Sequence, residues 1–201
     1  MLEQALDHQK GGELDQAIAI YRQVLHVDPN NSFANHLLGL IQLHMGDIQS
    51  ALNLIEIAAK YDPSNPRIFN DLGIVLDKLM RQDEAIGNYR QALKLFPDFS
   101  EALNNLGCML AKLGEEKEPE ICFLRVLELN PCNVDGLNNL GNLMMIYGRY
   151  DEAENSYRKA LELAPDNAEF HNNLGSALQF LERIEEAEQC FRRALEVKPI
   201  K

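Results

Sequence analysis

The chain has no tryptophan and only four cysteines, and it is poor in positive charge. Its 19 Lys and Arg residues stand against 31 Asp and Glu residues, which gives a formal net charge of −12 at pH 7. So acidic a surface argues against nucleic acid or an anionic membrane as the partner, since both bind to basic patches. The sequence also lacks a run of 18 or more apolar residues, so we expect no transmembrane span.

Signals for export, redox chemistry and catalysis are missing as well. The first residues lack the basic and apolar run of a signal peptide, so we expect a cytoplasmic protein. The cysteines form no CxxC pair and no zinc spacing with histidine, which predicts free thiols and no metal or other cofactor; they are Cys108, Cys122, Cys132 and Cys190. No nucleophile setting, Walker A or HExxH motif is present, so we predict that the chain is not an enzyme.

Proline, by contrast, recurs with a fixed period. Six of the eight prolines are spaced 34 residues apart, at Pro29, Pro63, Pro97, Pro131, Pro165 and Pro199. A period of this length is typical of stacked structural repeats and not of a single globular core. We divide the chain into one repeat array with a partial repeat at 1–31 and full repeats at 32–65, 66–99, 100–133, 134–167 and 168–201.

Other columns of the repeat agree with the proline period. In every full repeat position 7 is Leu and position 8 is Gly, and position 24 carries a large apolar or aromatic residue. Position 20 is Ala except in repeat 100–133, where it is Pro119. The spacing predicts helix A near positions 2–14 and helix B near 18–30, with a turn at position 15 that is glycine in most repeats. Small residues at positions 8 and 20 let the two helices approach, and the residue at position 24 fills the space beside them.

These columns resemble the tetratricopeptide repeat (TPR) family over the whole chain. The resemblance implies an all-α fold, an α-solenoid in which antiparallel helix pairs stack into a right-handed superhelix with a concave groove built mainly from A helices. The usual Trp or Tyr at position 4 is absent, which affects the packing detail. We expect helix B of repeat 100–133 to begin at or just before Pro119, because proline is tolerated in a first turn.

By the same resemblance, positions 2, 5, 6, 9, 12 and 13 of helix A line the groove. An asparagine ladder occupies most of positions 5 and 6 and part of position 9; it comprises Asn70, Asp71, Asn104, Asn105, Asn138, Asn139, Asn142, Asn172 and Asn173. An amide both donates and accepts hydrogen bonds, so such a ladder could hold a peptide backbone without reading its sequence. The alternative is that these side chains join helices within the fold.

The repeat at 32–65 has a different groove. Phe33, Leu40 and Leu43 occupy groove positions with Leu37, where later repeats are more polar. An exposed apolar stripe often marks an interface. The alternative is that the partial repeat folds over it or that it belongs to the core.

We therefore predict a non-catalytic scaffold that binds a protein or an extended peptide in an Asn-lined groove. The ladder is similar to that of the TPR arm of O-linked N-acetylglucosamine transferases, so the alternative is the N-terminal substrate-recognition arm of a larger enzyme such as a glycosyltransferase. The Lys and Arg clamp of chaperone-tail TPR domains is absent. Because no polar capping helix follows the last repeat, we expect that the natural chain continues or that another molecule covers this end, and self-association through the ends is open.

Overall fold

The computed structural model describes residues 1–198, and the regular structure in that range is α-helical. Residues 199–201, which include Pro199 of the proline series, lie outside the described residues. The helices follow one another as α1 (Leu2–Lys10), α2 (Leu14–Val27), α3 (Ser32–His44), α4 (Ile48–Tyr61), α5 (Pro66–Lys78), α6 (Gln82–Leu95), α7 (Ser100–Lys112), α8 (Glu118–Leu129), α9 (Val134–Ile146), α10 (Tyr150–Leu163), α11 (Ala168–Phe180) and α12 (Ile184–Val197).

The helices keep the register of the repeat. Each full repeat contains one helix A and one helix B, and the partial repeat supplies α1 and α2, so the predicted all-α solenoid of helix pairs is confirmed. Helix A covers positions 1–13 and helix B usually covers positions 17–30, each beginning one residue earlier than expected. The exception is α8, which begins at Glu118 with a buried Pro119 as its second residue. This agrees with the prediction for that proline.

Asparagine also marks the start of most A helices. Position 34 of the preceding repeat places an asparagine just before α3, α5, α9 and α11, and its side-chain oxygen accepts a hydrogen bond from a backbone N–H of the first turn; these residues are Asn31, Asn65, Asn133 and Asn167. Such caps stabilise a helix by about 0.5–2 kcal/mol each. The column was not part of the prediction, although Asn is a preferred residue at this place.

Close approach within each helix pair explains the glycine at position 8. A Cβ added to Gly141 would lie 2.5 Å from Cε1 of Tyr157, and one added to Gly107 would lie 2.7 Å from Cε1 of Phe123. Both rings are almost completely buried. The predicted pairing of a small residue at position 8 with a large residue at position 24 is therefore confirmed.

The turn between helices A and B needs a left-handed residue at position 15. Gly148, for example, has a φ of 70°. Met80 and Glu182 replace glycine in this column, yet each has a φ of 61°. The backbone thus keeps its conformation where the residue departs from the pattern, at the steric cost that a Cβ brings in the left-handed region.

The chain divides into two compact units, Met1–Ala102 and Leu103–Lys201, called the N-terminal unit and the C-terminal unit below. The N-terminal unit has a core around Ala5, Ile18 and Tyr21. The C-terminal unit has a core around Phe123, Met144 and Leu178. The right-handed superhelix of the whole array stays a prediction. No helix among the described residues combines the length and apolar character that crossing a bilayer requires.

In the C-terminal unit, arginines at position 16 connect successive B helices. Arg183 donates hydrogen bonds to Glu154 of the preceding helix B at 2.6 Å and to Glu186 of its own helix at 2.6 Å. Arg149 contacts Glu120 and Glu152 in the same way, at 2.8 and 2.6 Å. These contacts, which we call arginine clamps, connect α10 to α8 and α12 to α10.

Candidate functional site

Asparagines of the C-terminal unit bond to one another from one helix A to the next. Nδ2 of Asn173 in α11 donates to Oδ1 of Asn138 in α9 at 2.9 Å. Nδ2 of Asn139 in α9 donates to Oδ1 of Asn104 in α7 at 3.4 Å. Each bond joins position 6 of one helix to position 5 of the helix before it, 35 residues back. We call these four side chains, together with Asn142, the amide strip.

A buried tyrosine of α10 bonds to the strip. The Tyr157 hydroxyl donates to Oδ1 of Asn142 at 2.7 Å, and Nδ2 of Asn173 also reaches that oxygen at 3.3 Å. Burial raises the pKa of the Tyr157 phenol, and the charge of Glu169 raises it further. The hydroxyl therefore stays protonated and donates to Asn142. Position 24 had been assigned to packing alone, so this polar role was missed.

The amides of the strip have capacity for further bonds. An amide offers two N–H groups and two lone pairs, and the contacts above use only part of them. Asn104, Asn139, Asn142 and Asn173 are partly exposed, whereas Asn138 is buried and its Nδ2 lies 3.5 Å from Oε1 of Glu169. A backbone lying along the strip would meet both donors and acceptors.

The remaining asparagines of the ladder lie in α5, α7 and α11. Asn172 is exposed on α11, and Asn105 is half-buried on α7. Asn70 is buried on α5 and donates from Nδ2 to Oδ1 of Asp71 at 3.2 Å. The structure thus brings together Asn104, Asn138, Asn139, Asn142 and Asn173 in the C-terminal unit.

A depression of about 230 Å³ opens beside the strip between α7 and α9. Its lining consists of Cys108, Ala111, Lys112, Phe123, Asn139, Asn142, Leu143 and Ile146. Except for Phe123 and Leu143, these residues occupy the predicted groove positions 6, 9, 12 and 13 of the two A helices. The depression was not predicted, although small residues at positions 9 and 12 of α7 are a sequence signal for open space.

The two edges of the strip differ in chemistry. At one edge lie Asp135 and Glu169, the acidic residues in the first turns of α9 and α11. At the other edge Ile146 and Phe180 are 67% and 61% exposed, and the Phe180 ring stacks on that of Tyr150 at 4.7 Å. The face of the C-terminal unit that carries the amide strip therefore has an acidic edge, a neutral polar centre and an apolar edge.

Charge from the acidic edge acts on the depression. Burial raises the pKa of the Cys108 thiol, with Lys112 opposing this effect and the charge of Asp135 adding to it. Within residues 1–198 none of the four cysteines forms a disulfide, and Cys108 lines this depression. Within residues 1–198 no group of His, Cys, Asp and Glu side chains could hold a metal ion.

The N-terminal unit uses the same two positions differently. Nε2 of His36, at position 5 of α3, lies 2.7 Å from Oδ2 of Asp71, at position 6 of α5, and both side chains are largely buried. Of the predicted apolar stripe, Leu40 and Leu43 are half-buried and Phe33 is 47% exposed. Leu37 packs against the core that contains Ala5, which agrees with the alternative that this residue belongs to the core.

Comparison with known families agrees with the helix register. Models described as tetratricopeptide repeat match residues 2–70, 88–118 and 134–199. The chain belongs to the tetratricopeptide repeat family. No curated protein sequence matches this TPR chain.

Several solved structures share the fold of this TPR chain at low sequence identity. A Pseudomonas aeruginosa pilF structure superposes with a TM-score of 0.85 at 20% identity, covering 100% of this chain and 91% of that one. A TPR protein from Parabacteroides merdae gives 0.84 at 21% identity, covering 100% and 79%. YrrB, described as a TPR protein with an unusual peptide-binding site, gives 0.72 at 20% identity, covering 89% and 92%. At these identities the likeness establishes the fold.

Proposed function

We propose that this TPR chain is a non-catalytic scaffold that binds an extended segment of a partner protein along the amide strip. The observation that carries the proposal is the bonding of Asn104 to Asn139 and of Asn138 to Asn173 across successive A helices. These bonds fix where each amide points while leaving part of its bonding capacity for a ligand.

An extended peptide suits such a surface because its backbone presents N–H and C=O groups at regular intervals. A typical hydrogen bond contributes about 0.5–1.5 kcal/mol net, so several together give useful affinity. Amides already held by neighbouring repeats lose little side-chain freedom when a ligand binds, which lowers the entropic cost of association. YrrB supports the proposal as a solved TPR relative with a described peptide-binding site.

The two bonds also explain why some of these asparagines serve the fold as well. Asn138 is buried and bonded, so replacing it alone would remove the nearer of the two oxygens that accept from Asn173. The cleaner test replaces both members of one bond. Changing Asn104 and Asn139 together to Ala removes a donor and its acceptor at once, and Ala is the better helix former.

The experiment selects binders to the whole chain from a displayed library of random 12-residue peptides. We expect the Asn104→Ala/Asn139→Ala variant to stay helical and to bind recovered peptides about tenfold more weakly, as expected for the loss of one or two hydrogen bonds. The matched control is Asn53→Ala/Asn155→Ala, which removes two exposed asparagines from B helices. Recovered peptides with unchanged affinity for the first variant would overturn the proposal, as would a library that yields none.

A further inference from the structure

We propose that the partner segment alternates basic and aliphatic residues, with one aliphatic side chain seated in the depression between α7 and α9. This inference rests on the proposed function and specifies the chemistry of the ligand. It follows from the order in which the acidic edge, the amide strip and the apolar edge lie across the C-terminal unit.

The positions of the two edges determine the direction of a segment that lies along the strip. Asp135 is the second residue of α9 and Ile146 is its last, so the two edges lie about 16 Å apart along the helix at 1.5 Å per residue. The amide strip runs between them from one helix A to the next. A segment lying along the strip therefore crosses the A helices. In an extended chain, successive side chains point to opposite sides, so they would alternate between the acidic and apolar edges.

The depression adjoins the apolar edge of the strip. The depression has Phe123 and Leu143 in its lining, both almost fully buried, and Ile146 at its mouth. Its volume of about 230 Å³ accommodates a single aliphatic side chain, whose burial is favourable in proportion to the apolar area removed from water. Asn139 and Asn142 line the same depression, so the backbone of that residue would lie against the strip.

The charge of the acidic edge favours basic side chains in the partner segment. The helices α9 and α11 contain two acidic residues, Asp135 and Glu169, and neither Lys nor Arg. Both acids are exposed in the first turns of their helices, and Glu169 lies 3.5 Å from Asn138 of the strip. The basic residue of the lining, Lys112, is at position 13 and hence at the apolar edge. Lys or Arg side chains of a partner would meet complementary charge at the other edge, in a chain whose net charge is −12.

The peptides recovered from the 12-residue library test this composition directly. We expect them to be enriched in segments where Lys or Arg alternates with Leu, Ile or Met. One recovered peptide, labelled with fluorescein, is then titrated against variants by fluorescence anisotropy at low and high salt. Binding should weaken with salt, because the basic side chains meet exposed acids.

Two variant pairs separate the edges. Ile146→Ser should weaken binding about fivefold, whereas Ile121→Ser should not, although Ile121 on α8 is equally exposed at 65% against 67%. Asp135→Lys/Glu169→Lys should weaken binding about tenfold and abolish its salt dependence. The control Asp151→Lys/Glu162→Lys changes the net charge equally at two exposed acids of α10 and should bind normally.

The outcomes distinguish this inference from the proposed function. Peptides that need Asn104 and Asn139 but show no basic–aliphatic alternation overturn the inference alone. The same holds if the edge variants bind as the wild type does, or if their controls weaken binding as much as they do. Peptides that bind the Asn104→Ala/Asn139→Ala variant as tightly as the wild type overturn the proposed function. A library that yields no binder overturns both.

Discussion

The two units fill the same structural positions with different chemistry. Position 5 of one helix A meets position 6 of the next in both, yet His36 and Asp71 meet in the N-terminal unit where asparagines meet in the C-terminal unit. On the B helices, Glu120 and Glu154 receive arginine in the C-terminal unit, whereas their column holds the buried Leu52 in the N-terminal unit. The repeat backbone thus determines which positions come into contact, while the residue types determine whether the contact is ionic, apolar or between two amides.

The largest expected effect is a loss of stability that should be the same in both units. Gly73 and Gly141 both face a tyrosine ring, and a Cβ at either would lie 2.5 Å from it. Replacing either with Leu should cost about 1–3 kcal/mol through overpacking, measured by urea denaturation followed by circular dichroism. Gly87→Leu is the control, since nothing lies within 4 Å of its added Cβ and Leu favours the helix. An unchanged midpoint in the first two variants would show that the helix contact is misplaced.

The second prediction exchanges the chemistry of the units. His36→Ala should cost about 1–3 kcal/mol, because it leaves the largely buried Asp71 without this partner. His36→Asn/Asp71→Asn should recover most of that loss, since it installs the amide pair that the same positions hold in the C-terminal unit. Thermal unfolding measures both. If the double variant is no more stable than His36→Ala, position alone does not make the two pairs equivalent.

The third prediction tests an arginine clamp of the C-terminal unit. The N-terminal unit lacks this contact at Leu52, because Leu52 stands in the column that holds Glu154. Burial acts to raise the pKa of Glu154, but hydrogen bonds from Arg158 and Arg183 outweigh it and hold the pKa below its ordinary value. A carboxyl with a lowered folded-state pKa contributes stability above its unfolded pKa of about 4.3 and loses it as the pH falls through the folded value.

Glu154→Gln should therefore lower the melting temperature by a few degrees at pH 7, and the difference from wild type should shrink towards pH 3. The control is Glu162→Gln, an exposed carboxyl on the same helix, which should change little at either pH. A difference that persists undiminished at pH 3 would show that the charge of Glu154 is not its source.

The smallest expected effect concerns one turn in each unit. Met80 in the N-terminal unit and Glu182 in the C-terminal unit both have a φ of 61° at position 15. Replacing either with Gly should stabilise by about 0.5 kcal/mol, because relief of the left-handed strain exceeds the added entropy of the unfolded chain. Gly148→Ala should have the opposite sign. Chemical denaturation of the three variants measures these changes in the free energy of unfolding. If Met80→Gly and Glu182→Gly both destabilise the protein, the assigned strain is contradicted.

Most of the fold could be predicted because its determinants recur within the sequence. The proline period, the glycine at position 8 and the large residue at position 24 each act inside one repeat, so aligned columns reveal them. Met80 and Glu182 could be placed in the turn for the same reason, although their residue types gave no hint of a positive φ.

The candidate site was less accessible to prediction, because its contacts join different columns of different repeats. That Asn173 would bond to Asn138 depends on how far one helix A is displaced along the next, which no column shows. The bond from Tyr157 to Asn142 depends on the depth of a side chain expected to be apolar packing. The depression requires the small Cys108 and Ala111 to lie opposite α9, which is again a matter of displacement between helices.

Since each bond of the amide strip joins a helix A only to the next one, the surface can be lengthened by whole repeats. A second copy of residues 134–167, inserted after residue 167, would place a new Asn139 against Asn138 and a new Asn138 against Asn173. Neighbouring helices pack about 8–10 Å apart, and an extended chain advances about 3.3 Å per residue, so each added repeat would hold about three more residues of a partner. The number of repeats would then set the length of the partner segment that the proposed site could bind.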